Sequence, residues 1–213
     1  MPKKSSGSAD NSDTRARILD ATEQIMLEEG YAGVSYRKIT SKAGLKSNLI
    51  HHYFKTMDDL FIAAFQRREG DHVGRLASAT SSANPLQDIW AMTIDGASSK
   101  LVLEYNALAC HRPALREYIA MSAARDRKTV TGALETIFGR YNIDQEIYPP
   151  KVVAMAMAGL ARAFALERAL GTYDGHAESL AVVDRLLASF ESAPTPSPRR
   201  KRSANEDLPT DPA

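Results

Sequence analysis

The 213-residue sequence has little of what cross-links a chain, holds a metal or crosses a bilayer. Its single cysteine, Cys110, can form no intrachain disulfide, so a reducing compartment is the expected setting. No apolar run approaches the roughly 20 residues that span a bilayer. The longest apolar-rich stretch, 152–170, contains Arg162, Glu167 and Arg168. The opening MPKKSSGSAD lacks the apolar centre of a secretory signal. A cytoplasmic protein with no membrane partner is expected. The histidines at 51, 52, 72, 111 and 176 are dispersed apart from the first pair, and adjacent helical residues point apart. Cys110-His111 is the other adjacent pair, and neither pair has metal-ligand spacing. There is no nucleophile motif, glycine-rich phosphate loop, strand pattern or internal repeat. Enzyme activity, a metal and a cofactor are therefore not expected.

What remains is an ordinary globular composition, 44% hydrophobic and 25% charged, on a chain long enough to bury a sizeable core. The net charge of +1 hides an uneven distribution. Residues 35–57 carry Arg37, Lys38, Lys42, Lys46 and Lys55 and no acid. Residues 76–192 carry 11 Lys/Arg against 13 Asp/Glu. A local basic patch on a near-neutral chain marks a specific nucleic-acid face.

The patch has helical periodicity on either side of Gly44. Ile39 and Ala43 lie one turn apart within 36–43; Ile50 and Phe54 do so within 46–54. Two short helices around a glycine turn, each with a buried stripe and a basic outer surface, fit the major groove of DNA. Upstream, Asp13 is placed to cap a helix whose face is Ile18, Ala21, Thr22 and Ile25, widened by Leu19 and Met26 and ended by Gly30. Downstream, Thr56 is the expected cap of a further helix to about Val73, with Asp58 and Asp59 in its first turn.

Residues 14–60 resemble the DNA-binding domain of TetR-family transcriptional regulators. The matching pieces are TRARILDATEQIMLEEG, the lead-in YAGVS, RKITSKAG, and LKSNLIHHYFKTMDDL. The HYFK run followed by an acidic pair and leucine is the most specific of them. The resemblance implies an all-α fold. An N-terminal three-helix DNA-binding domain with a helix-turn-helix (14–56) precedes a helical ligand-binding and dimerisation domain (57–192). Residues 1–13 and 193–213 are expected to be disordered arms. Mapped by position, the family's DNA contacts fall on Tyr36 and Arg37, then on Lys46, Ser47, Asn48, Leu49, His51 and Tyr53, with Lys55 just after. Arg37 and Asn48 suit base edges; Lys46, His51, Tyr53 and Lys55 suit phosphates. Leu49 and His51 stand where the family commonly has a small or hydroxylated residue and a tyrosine, which leaves the operator sequence open.

The second half reads as helices at 85–94, 99–111, 113–141, 152–170 and 176–192. Trp90, Met92, Thr93, Tyr105, Asn106, Cys110, Met121 and Met157 are polar or adaptable side chains in apolar surroundings. They either line a cavity for a small, hydrophobic or aromatic effector, as the family implies, or fill an ordinary core. Ala158, Ala161 and Ala165 make a smooth helix face, and Leu180, Val183, Leu187 and Phe190 repeat at helical spacing. These seven belong either to a homodimer interface, which the family resemblance favours, or to an internal core. Lys3, Lys4 and the PRRKRS cluster are solvated tails or auxiliary DNA contacts, the cluster alternatively an import signal. The expected function is a transcriptional repressor released from a palindromic double-stranded DNA operator by a small molecule. A ligand-independent architectural or adaptor protein, or a helical enzyme fused to a basic domain, is the alternative.

Overall fold

The first helix starts earlier than its capping residue predicts. In the computed structural model, which describes residues 6–192, α1 runs Ser6–Glu29. No proline lies between Ser6 and Asp13 to prevent it. Asp13 sits inside the helix, 4.0 Å from Arg17 one turn on. The expected arm at 1–13 is thus helical from Ser6. Lys3, Lys4 and the PRRKRS tail lie outside the described residues.

Gly30 follows α1 with φ 76° and ψ 170°, a positive-φ backbone that glycine adopts at little cost. A single 3-10 turn, Tyr31–Gly33, leads to α2 (Tyr36–Lys42), whose first turn is capped by the Ser35 hydroxyl accepting from Lys38 N. Gly44, φ 64°, makes the turn. The helix expected over 46–54 is shorter: α3 is Ile50–Tyr53. The residues before it make tight turns, with Leu49 N donating to Lys46 O at 3.0 Å and His52 N to Leu49 O at 3.1 Å. Ser47 and Asn48 are poor helix formers because their side chains compete for nearby backbone groups.

Thr56 caps α4 (Met57–Thr80) as its sequence predicts. The Thr56 hydroxyl accepts from Asp59 N and Thr56 N donates to the Asp59 carboxylate, each at 3.0 Å. The helix continues a further two turns past the expected end. Then follow α5 (Pro85–Thr93), α6 (Gly96–His111), α7 (Pro113–Tyr141), α8 (Pro150–Leu170) and α9 (His176–Glu191). Pro85, Pro113 and Pro150 each open their helix, where a missing N–H costs nothing. Asn142 closes α7 in the left-handed region. The fold is all-α, with no strand among the described residues, and no described helix is long and apolar enough to cross a membrane.

Two cores organise the helices. The first joins Ile18, Ile25 and Met26 of α1 to Ile39, Ile50, Phe54, Leu60 and Phe61. Leu101, Tyr105 and Leu108 of α6 and Leu115 of α7 belong to it too, so packing runs unbroken across residue 56. The second joins Trp90 of α5, Leu134 and Phe138 of α7, Met157 and Phe164 of α8, and Leu187 of α9. Helix α4 enters both cores: Leu60, Phe61 and Ala64 lie in the first, Leu76 and Ala79 in the second.

Polar ties reinforce the first junction. Arg67 of α4 donates to Asp20 at 2.6 Å and to Glu23 at 2.8 Å, both on α1. Arg112 pairs with Asp58, and Tyr31 N donates to Glu104 of α6 at 2.7 Å.

Candidate nucleic-acid interface and interior cavity

The surface around α2 and α3 is built as an amphipathic pair. Ile39, Ile50 and Phe54 are buried, while Arg37, Lys46, Ser47, Asn48, His51 and Lys55 are exposed. Tyr36, Leu49 and Tyr53 are half-buried. The Tyr36 and His51 rings lie 4.6 Å apart and brace α2 against α3.

Not all of the basic patch is available to a partner. Lys38 pairs with Glu29, and Lys42 with Glu28 at 2.6 Å, so α1 holds both. Arg37, Lys46 and Lys55 have no acid within 4.0 Å among the described residues. Three uncompensated cations and a polar edge of Ser47, Asn48 and His51 can meet phosphates and base edges. Composition missed one tie: Arg17 of α1 donates to Ala43 O at 2.6 Å and fixes the end of α2.

In the second half, α4, α5, α6, α7 and α8 line a cavity of about 230 Å³ that is partly open to solvent, with Arg75, Asp126, Arg127 and Arg162 exposed. Ile89, Met92, Val102, Val130, Met157 and Ala161 form its apolar wall. Arg68, His72, Arg75, Asp126, Arg127 and Arg162 supply the polar part. Burial pushes the Arg68 guanidinium below the usual arginine range, although arginine stays charged. Its Nη2 donates to Ser98 O at 2.8 Å. His72 Nε2 stands 2.9 Å from the Asp126 carboxylate but is not aimed for a hydrogen bond.

Of the eight residues named from sequence for a pocket, Met92, Thr93 and Met157 line this cavity. Trp90 and Tyr105 are fully buried in the second and first cores instead. Asn106 and Cys110 are exposed, and Met121 is half exposed. The polar wall from α4 was missed. QRREGDH reads as a solvated stretch, and only the position of α7 and α8 turns part of it inward.

The residues named for a dimer face are divided. Leu187 belongs to the chain's own second core, with Leu180, Val183 and Phe190 packed on it. Ala161 and Ala165 are buried, and Ala158 and Ala161 border the cavity. The apolar side chains left outside on the last two helices are others: Val152, Met155, Leu166 and Leu170 of α8, and Val182 and Leu186 of α9.

Residues 18–64 match the family described as "Bacterial regulatory proteins, tetR family". Over 66 residues the sequence is 38% identical to the HTH-type transcriptional regulator PksA of Bacillus subtilis (strain 168), covering 31% of this chain and 30% of that one. Over 101 residues it is 26% identical to the fatty acid metabolism regulator protein of the same organism, covering 47% and 52%. The matched stretches thus span about a third and about half of these relatives. In fold, the crystal structure of a TetR-family transcriptional regulator from Rhodococcus sp. superposes with a TM-score of 0.64 at 19% identity, covering 85% of this chain and 98% of that one.

Proposed function

We propose, from the match of residues 18–64 to the tetR family of bacterial regulatory proteins, a cytoplasmic, homodimeric transcriptional repressor that leaves a palindromic operator when a small molecule enters the cavity. One observation carries the ligand response. Helix α4 is part of the DNA-side core through Leu60 and Phe61, and its second half supplies Arg68, His72 and Arg75 to the cavity wall. A ligand that displaces α4 displaces the domain joined to it. An architectural protein with no ligand has no use for such a cavity.

Arg37 and Asn48 read base edges, while Lys46, His51, Tyr53 and Lys55 hold phosphates. Tyr36, Ser47 and Leu49 complete the contact surface. Residues 14–56 act as the DNA-binding domain and 57–192 as the ligand-binding and dimerisation domain. The exposed stripe of Val152, Met155, Leu166 and Leu170, with Val182 and Leu186 beside it, supports an isologous α8–α9 pairing with a second copy. Twofold pairing sets two recognition elements for half-sites about 34–36 Å apart.

Selecting bound sequences from a random duplex pool with the full chain tests this. The expected product is an inverted repeat bound by a dimer and released by a small molecule. Binding that ignores sequence and no compound releases would favour the ligand-free architectural protein.

A further inference from the structure

Two consecutive arginines of α4 have opposite surroundings. Arg67 is answered by two carboxylates, Asp20 and Glu23. Arg68, next in the chain, faces the cavity, and no carboxylate lies within 4.0 Å of it among the described residues. Its one hydrogen bond goes to a backbone carbonyl, Ser98 O. Three more arginines and one acid, Asp126, make up most of the rest of the cavity's charged wall. Arg127 and Arg162 are exposed and have no acid within 4.0 Å among the described residues. Arg75 reaches Asp95 at 3.4 Å, and Asp126, the acid of the wall, faces His72.

We propose that the cavity takes a small amphipathic carboxylate, its apolar body against Met92, Val102 and Met157 and its carboxylate on the Arg68 guanidinium. This rests on the ligand-response reading and adds to it the charge and shape of the ligand. A neutral apolar ligand would complete the desolvation of Arg68 without offering it a partner, which is costly for a charge. A cation would meet four arginines. A carboxylate presents two oxygens to the guanidinium fork and gives Arg68 a direct charge-assisted partner, where Glu23 and Asp95 act on it only from beyond 4.0 Å. One half-buried guanidinium suits a monoanion; a phosphate dianion would need a second arginine at the same depth, and Arg75, Arg127 and Arg162 are exposed. The volume, about 230 Å³, lies below the roughly 300–1,000 Å³ usual for ligand sites, which suits a single short chain or one ring.

The test compares acids with alcohols of the same body on the full-length protein: octanoate with octan-1-ol, and benzoate with benzyl alcohol. Isothermal titration calorimetry gives the affinities and Trp90 emission gives an independent signal. At least one acid should bind about tenfold or more tightly than its alcohol, the range a charge-assisted pair supplies. Arg68→Met should abolish that preference while leaving alcohol binding near its original level. Should Arg68→Met fail to fold, Arg68→Lys decides: it keeps the charge and loses the fork, so acid affinity should fall several-fold and alcohol affinity should not. Alcohols that match the acids, a preference that survives these changes, or no acid binding at all would overturn the proposal. Octyl phosphate binding more tightly than octanoate would overturn it in favour of a phosphate ligand. Alcohols that bind and release the operator would keep the repressor reading while ending this one.

Discussion

Arg67→Met isolates the joint between α4 and the DNA-side helices. The methionine keeps most of the side chain's apolar length and removes the guanidinium. Two hydrogen bonds to carboxylates are lost, at 2.6 Å to Asp20 and 2.8 Å to Glu23. The two are not equal. The Asp20 side chain is 58% exposed, so its arm resembles a surface pair worth about 0.2–1 kcal/mol. Glu23 is 20% exposed, and losing a charged hydrogen bond there leaves a half-buried carboxylate unanswered, at about 1.5–3 kcal/mol. The combined loss is roughly 2–4 kcal/mol, or about 4–16 °C in Tm for a chain of this size.

The loss also depends on pH. Burial holds the Glu23 carboxyl above its ordinary 4.5, and Arg67 offsets only part of that. Removing Arg67 raises it further. An acid whose folded-state pKa is raised binds more protons folded than unfolded. The folded state's advantage is then full below the unfolded value and lost as pH rises through the folded one. Arg67→Met should therefore cost more at about pH 8 than near pH 5, where Glu23 is partly neutral. Urea unfolding of the full-length protein at both pH values measures it, and Glu23→Gln added to Arg67→Met should recover part of the loss. A loss under about 0.5 kcal/mol, or one equal at both pH values, would refute the assignment of Glu23 as the partner that matters.

On DNA, Lys55→Ala should weaken binding to operator and random duplex alike and flatten the salt slope by about 1, read from titrations at several ionic strengths. Arg37→Ala should cost roughly 1–3 kcal/mol on the operator and much less on random DNA; equal losses would make it a phosphate contact. For assembly, Leu166→Glu with Leu186→Glu should give a folded monomer by sedimentation and circular dichroism, because both side chains are outside the chain's own core. Leu187→Glu should instead unfold the chain, since Leu187 is 6% exposed within one subunit. A folded dimer that tolerates the Leu166 and Leu186 changes would remove α8–α9 as the interface.

Local chemistry was the legible part. Thr56 and Asp59 cap each other because the partners are three residues apart, and Gly30, Pro85 and Pro113 punctuate helices through their own backbones. The burial of Ile50 and Phe54 follows from one turn of spacing. What depends on a distant neighbour was not legible. Leu186 and Leu187 are identical side chains next to each other; one is 44% exposed and the other buried, and only the position of α5 and α8 decides which. Trp90 and Tyr105 have polar atoms in apolar settings, as a ligand site would, yet both are core, with the indole N–H and phenol O–H left without partners. A cavity is a property of five helices at once, so no single pattern announces it.

The same neighbour effect gives α4 its mechanical character. Arg67 and Arg68 are about 100° apart around the helix, so one meets α1 and the other the cavity. Glu23 ties the two together: it pairs with Arg67 directly, and the Arg68 charge also favours its ionised form. On the proposed ligand response, a carboxylate that draws Arg68 toward the cavity should withdraw that support from Glu23 and loosen the joint with α1. A tenfold loss of operator affinity requires about 1.4 kcal/mol of difference between the two states. Because Arg67→Met has already broken the joint, it should leave ligand binding intact and shrink the effect of ligand on operator affinity. Measuring the operator Kd with and without a bound acid in both proteins decides the matter. An undiminished ligand effect in Arg67→Met would mean that the signal reaches the DNA-side helices by another contact, with Glu104 of α6, bonded to Tyr31 N at 2.7 Å, the next to examine.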